Sequence, residues 1–286
     1  MTALDEQPAA YPSLKQSWAL LGITLLVALG LNLALIFVGA ILTFLGQEGL
    51  SQSFLSHSLT LLFTYVIIFV LIIWFASYKK QQVEGDFSPN LSLPPFPVLV
   101  LTALATLGIY FIVDPLVDFI PMPDFIERLF LELLGEQDMW TVVTVVVAAP
   151  VLEELLLRGI ILDGLLKIYS PKKAIIWSAL FFGFFHLNPW QFIPAFALGL
   201  FMGWIYYRTR SLMTTIFIHF VANSAGVILG YFFLPEAQEM APTRSFFPSD
   251  ASYFGLLAAA LVILVFALQM LNKKLPSISA STNKPL

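Results

Sequence analysis

Residues 148–159 read Ala-Ala-Pro-Val-Leu-Glu-Glu-Leu-Leu-Leu-Arg-Gly, so two carboxylates and a guanidinium stand inside a long apolar stretch. The flanking residues, 139–151 and 155–166, are almost wholly hydrophobic, which reads as a membrane span with charge near its centre. Each such charge costs roughly 2.5–3.5 kcal/mol on insertion scales, and intramembrane charges are functional candidates by default. Glu154 and Arg158 share a helical face at i,i+4 and can neutralise one another. Glu153 points elsewhere and needs a partner from another helix. Pro150 removes the donor for the carbonyl of Val146 and predicts a kink one turn before the acids.

The whole chain supports a membrane reading. Of 286 residues, 59% are hydrophobic and 11% charged, and the mean hydropathy is +0.87, outside the range of water-soluble domains. A net charge of -4 with dispersed basic residues gives no footprint for nucleic acid. Without cysteine there is no disulfide framework, thiolate nucleophile or cysteine-ligated metal.

A crossing helix needs roughly 20 apolar residues, and about eight runs are expected to supply one. They cover 18–45, 54–77, 97–113 with closure at Asp114-Pro115, 139–166, 174–187, 190–207, 212–233 and 253–271. The fifth is short and ends at Asn188-Pro189, a turn signal. The expected class is therefore an all-α polytopic membrane protein with an intramembrane polar site. A cytoplasmic tail at 1–17 precedes a single transmembrane domain at 18–272, whose motif-bearing core is 139–230, and a disordered cytoplasmic tail at 273–286 follows. With eight spans, eleven basic residues fall on one side and two, Arg128 and Arg244, on the other. By the positive-inside rule both termini are then cytoplasmic.

Residues 124–134 have amphipathic spacing and are expected to rest in the outer interface. Ala195, Gly199 and Gly203 form a small-residue stripe for close helix packing. Asn32 is expected to make a helix contact, His57 to sit at the interface without a role, and Asp163 to be solvated or snorkelling.

Two of the three histidines, His186 and His219, lie in apolar spans, and Asn223 shares a helical face with His219. At 1.5 Å per residue, Glu153 lies roughly 21 Å from Lys167, His186 roughly 20 Å from Lys173, and Asn223 roughly 20 Å from Arg210. Groups from three helices thus reach a similar depth, where each is costly alone. Two hydrolytic arrangements suit them. Glu153, His186 and His219 could ligate Zn²⁺ or another divalent metal that acidifies a water. Otherwise Glu153 is the general base, with His186 holding the water and His219 and Asn223 donating to an oxyanion. Spacing does not choose between them.

The ordered set Glu-Glu-x-x-x-Arg (Glu153 to Arg158), Phe-x-x-x-His (Phe182 to His186) and His-x-x-x-Asn (His219 to Asn223) resembles the CPBP family of intramembrane proteases. That family includes type II CAAX prenyl endopeptidases and the bacterial Abi and bacteriocin-processing proteins. The resemblance covers roughly residues 139–230 and implies an eight-helix or similar membrane fold that hydrolyses peptide bonds within the bilayer. It implies that Glu153 and His186 activate water, His219 and Asn223 form the oxyanion hole, and Glu154 with Arg158 braces the site. Although such enzymes are often called metalloproteases, the resemblance favours a glutamate base with no required cofactor. The implied partners are the lipid bilayer and a membrane-associated, lipidated or hydrophobic peptide. Two other classes use similar parts, a proton-coupled transporter and a non-catalytic membrane scaffold. A transporter is expected to show paired broken helices in an internal repeat, and no second copy of the acid motif is present.

Overall fold

The computed structural model describes residues 10–128, 138–233 and 243–276. Residues 124–128 of the expected amphipathic helix are helical; its remainder, the first nine residues and the tail from 277 lie outside the described residues. Among the described residues all regular structure is helical. By length and apolar composition, Leu14–Phe44, Ser58–Glu84, Phe96–Val117, Leu212–Gly230 and Asp250–Lys274 can each cross a membrane. The protein is an all-α polytopic membrane protein. Its apolar side chains face outward as lipid contact requires: Leu26, Leu29, Leu33, Ile36 and Phe37 of the first span are all exposed. The chain divides into two compact units, one of Met1–Ser88 with Asp138–Tyr169 and the other of Pro89–Gln137 with Ser170–Leu286.

In the first unit, α1 (Leu14–Phe44) packs on α2 (Glu48–Ser56) and α3 (Ser58–Glu84), and α3 runs along α5 (residues 139–168). Ser13 starts α1 with a capping box: its side chain accepts from Gln16 N–H, while the Gln16 side chain accepts from Ser13 N–H. The second expected span begins later than its apolar run. At His57 the backbone turns extended, and His57 caps α3 by accepting from Leu59 N–H at 3.1 Å. The residues just before it form the separate α2.

Helix α5 is not a uniform α-helix. It passes through α at Met139–Val143, π at Thr144–Ala148, α at Ala149–Glu154, π at Leu155–Leu162 and α at Asp163–Ile168. Where Pro150 predicts a kink the helix carries its first π stretch, and Ala149 N–H bonds back to the carbonyl of Thr144. A π turn is a usual device for absorbing a disturbed hydrogen-bond ladder.

Polar contacts hold α3 to α5 at three levels. Near their starts the Ser58 hydroxyl donates to Asp138 Oδ2; midway the Tyr65 hydroxyl donates to Glu153 Oε1; at their ends Lys80 Nζ lies 2.9 Å from Asp163 Oδ2. This last contact corrects the reading of Asp163 as solvated or snorkelling. It belongs to a four-charge cluster in which Lys80 also meets Glu84 at 3.0 Å, and Lys167 meets Glu84 at 2.7 Å and Asp163 at 2.8 Å. Two cations and two anions cancel, which makes their burial tolerable. Burial alone would lower the Lys167 pKa, but its hydrogen bonds to Asp163 and Glu84 hold it above the ordinary lysine value. The N-terminal segment joins the cluster: Lys80 donates to the Tyr11 carbonyl at 2.9 Å, and Tyr11 N–H donates to Glu84 at 2.9 Å. Among the described residues the Asn32 side chain bonds only to the Ala28 carbonyl of its own helix, at 2.8 Å, from an exposed position. Its local back-bond replaces the interhelical contact expected of it.

In the second unit, α4 (Phe96–Val117) packs on α7 (Pro189–Thr209), α8 (Leu212–Phe233) and α9 (Asp250–Lys274), and α6 (Pro171–Phe185) packs on α7. Helix α4 runs through Pro115 instead of ending at Asp114; a proline in the final turn removes one hydrogen bond with little helix left to distort. The small-residue stripe acts as expected. A Cβ on Gly199 would lie 3.0 Å from Ala179 Cα, and one on Gly203 would lie 3.0 Å from Ile175 Cγ2, so α6 and α7 meet nearly backbone to backbone. Helix α6 has 15 residues, about 22 Å of rise, short of a full crossing. Helix α7 dilutes its aliphatic residues with Pro, Gln, Trp and Tyr, and α5 carries charge. These three of the eight expected spans are outside the five that qualify by length and composition.

Candidate active site

In the first unit, Glu153 and Glu154 end the α segment between the two π stretches. Arg158 Nη1 donates to Glu154 Oε1 at 2.7 Å, and both side chains are fully buried. The i,i+4 pair read from the sequence is formed. Glu153 does take a partner from another helix, Tyr65 of α3. Its second oxygen, Oε2, is buried and has no hydrogen-bond partner among the described residues. A buried carboxylate oxygen left this way calls for an explanation, and a catalytic role is one.

In the second unit, His186 sits at the C-terminal end of α6. Its Nδ1 lies 2.9 Å from the Phe182 carbonyl. A carbonyl can only accept, so Nδ1 carries the proton and, in the neutral ring, Nε2 is left as an acceptor. The following turn is held from several directions. Asn188 Nδ2 donates to the His186 carbonyl at 2.7 Å, while Asn188 Oδ1 caps α7 by accepting from Gln191 N–H at 2.8 Å. Trp190 Nε1 donates to the Ile120 carbonyl at 3.1 Å. Leu187 takes a left-handed φ of 57°, a conformation that costs a non-glycine residue about 1 kcal/mol or more. The turn that presents His186 is thus tethered and strained.

His219 is buried on α8. The Phe182 ring meets the ring of His186 edge-on at 5.4 Å between centroids and that of His219 edge-on at 5.2 Å. One aromatic ring therefore spaces the two histidines, which explains the phenylalanine of the Phe-x-x-x-His motif. Asn223, half-buried, lies one turn after His219 on α8.

Of the six predicted residues, the structure joins Glu154 to Arg158 and groups His186 with His219 through Phe182; Glu153, Glu154 and Arg158 belong to the first unit and His186, His219 and Asn223 to the second. Among the described residues no three His, Cys, Asp or Glu side chains gather as a metal site requires.

Sequence reasoning missed Tyr65. It lies 88 residues before Glu153 in an apolar run where a tyrosine gives no motif signal.

A family model for type II CAAX prenyl endopeptidase Rce1-like proteins matches residues 135–225. Over that segment the chain is similar to the CPBP and CAAX proteases. The matched stretch includes all six residues picked from the sequence and leaves out Tyr65. No curated protein and no solved structure matches the chain. This similarity supports a protease, and with the five apolar helices it supports an integral membrane protein.

Proposed function

We propose that the protein is an intramembrane endopeptidase that uses Glu153 as its general base. The observation that carries this reading is the Glu153 carboxylate, with one oxygen held by Tyr65 and the other buried without a partner among the described residues. A carboxylate so placed is suited to take a proton from water. In the proposed step, Oε2 of Glu153 accepts that proton as the water oxygen attacks a peptide carbonyl. His186, with Nδ1 committed to Phe182, orients the water by accepting a hydrogen bond at Nε2 from its other O–H, which stays on the attacking oxygen. His219 and Asn223 donate to the tetrahedral oxyanion. The C–N bond then breaks, and the proton held by Glu153 passes to the leaving amine, so the base is restored. Glu154 and Arg158 brace the helix from behind and take no part in proton transfer.

The proposal requires no cofactor. Its substrate is a membrane-associated, lipidated or hydrophobic peptide, which an apolar, lipid-facing surface can deliver. The similarity to type II CAAX prenyl endopeptidases points to prenylated tails within that class. Both termini are proposed to face the cytoplasm, from the distribution of basic residues.

The test is cleavage of prenylated and hydrophobic peptides by purified protein in detergent. Glu153→Ala should lower kcat by roughly 10²–10⁴-fold, the usual worth of a general base, and chelator should leave wild-type cleavage intact. Cleavage that survives Glu153→Ala would overturn the assignment of the base. Loss in chelator with recovery on adding Zn²⁺ would overturn the cofactor-free mechanism.

A further inference from the structure

Tyr65 lies outside the matched family segment, yet its hydroxyl is the group that engages Glu153. A phenol can only donate to a carboxylate, so the bond fixes which glutamate oxygen is occupied. The other, Oε2, is buried and has no partner among the described residues. A carboxylate left alone turns freely about its last side-chain torsion, which is broad and two-fold. One fixed donor removes that freedom and commits Oε2 to a single direction.

The donor is itself held in place. The Tyr65 ring rests against Phe69 at 4.7 Å between centroids. Helix α3 is tied to α5 before it, by Ser58 to Asp138, and after it, by Lys80 to Asp163. The phenol thus meets the carboxylate between two further polar ties, and α3 cannot slide along α5 without breaking one of them. A tyrosine serving only to fill space would need neither the hydroxyl contact nor the flanking ties.

We infer that Tyr65 is a positioning residue, which holds Oε1 of Glu153 so that Oε2 is presented to the attacking water. This rests on the reading of Glu153 as the base. Tyr65 contributes through Glu153 alone and is assigned no contact with the peptide.

The experiment uses the full chain in lipid nanodiscs and compares wild type with Tyr65→Phe, which keeps the ring, and Phe69→Leu, which keeps the hydroxyl. On a hydrophobic or prenylated peptide, Tyr65→Phe should lower kcat by about 10- to 100-fold, as loss of a group that orients a reacting residue does, with KM unchanged within about twofold. Phe69→Leu should retain most of kcat. In parallel, infrared difference spectra of protein labelled with ¹³C-carboxyl glutamate should show one carboxylate band shifted by Tyr65→Phe, and no such shift when Tyr65→Phe is made in a Glu153→Gln background. A rise in KM with kcat unchanged would overturn the proposal, because it marks uniform binding; so would unaltered kinetics or an unshifted band. If wild-type protein cleaves no peptide, the protease reading fails by itself. The infrared band then decides the Tyr65 to Glu153 relationship separately: a shift supports it and no shift overturns it.

Discussion

Arg158 reaches back one turn to Glu154 and bonds it at 2.7 Å, with neither side chain touching solvent or lipid. Such a pair stabilises little relative to apolar replacements, but removing one member leaves an uncompensated buried charge. Arg158→Met is expected to destabilise the protein by about 3–5 kcal/mol. Adding Glu154→Leu should recover most of that loss. Thermal unfolding of the two single variants and the double variant in detergent checks the sign of the coupling.

At Gly164 the backbone of α5 touches the N-terminal segment. A Cβ there would run into the Tyr11 carbonyl oxygen and lie 2.5 Å from Pro12 N. These are backbone atoms and cannot rotate away. Gly164→Ala should cost about 1–3 kcal/mol as an overpacked contact and detach residues 10–13. Faster hydrogen exchange at those amides, with α3 amides little changed, is the expected signature.

Asp138 begins α5 by accepting from the Ser58 hydroxyl and from Thr141 N–H, and these bonds hold its carboxyl below the ordinary value of 3.8. A depressed carboxylate contributes stability that is present above its unfolded pKa and lost as pH falls through the folded one. The start of α5 should therefore be firm above about pH 4 and loosen below it. Asp138→Asn should remove that pH dependence. Hydrogen exchange at Thr141 across this range measures both.

Leu187 holds a left-handed backbone while its side chain is 72% exposed. It has little packing to lose. Leu187→Gly should raise stability by about 1 kcal/mol, since glycine enters this region without a Cβ penalty. Calorimetry in detergent gives the value.

The membrane class and most helix positions are legible in the long apolar runs, because lipid demands continuous hydrophobicity. Helix α8 has the limits expected for the seventh span, 212–233. The Glu154–Arg158 pair is legible because i,i+4 geometry is local. The need for a partner to Glu153 is legible too, from the cost of a lone buried acid. Its identity is not: the bond to Tyr65 crosses 88 residues, and no periodicity encodes it. The place of Asp163 is hidden for the same reason, since Lys80 lies on another helix and composition shows the charge without its neutralising neighbours. The α2–α3 break at His57 turns on one residue's backbone, which hydropathy averages away.

The two π stretches of α5 set its phase in a way that simple counting cannot. Each behaves like a residue inserted into an α-helix, so Glu153 and Asp163 both meet α3 although ten residues of regular α-helix would set them about 80° apart. Forcing the same residues of Leu155–Leu162 into an α ladder, with none removed, would rotate everything after it by about 100° relative to Glu153. Asp163 would then swing away from Lys80 while every residue of the acid motif stayed in place. In α5 the type of helix between functional side chains is itself a specified quantity: the π turns take up residues that a uniform α-helix would convert into rotation.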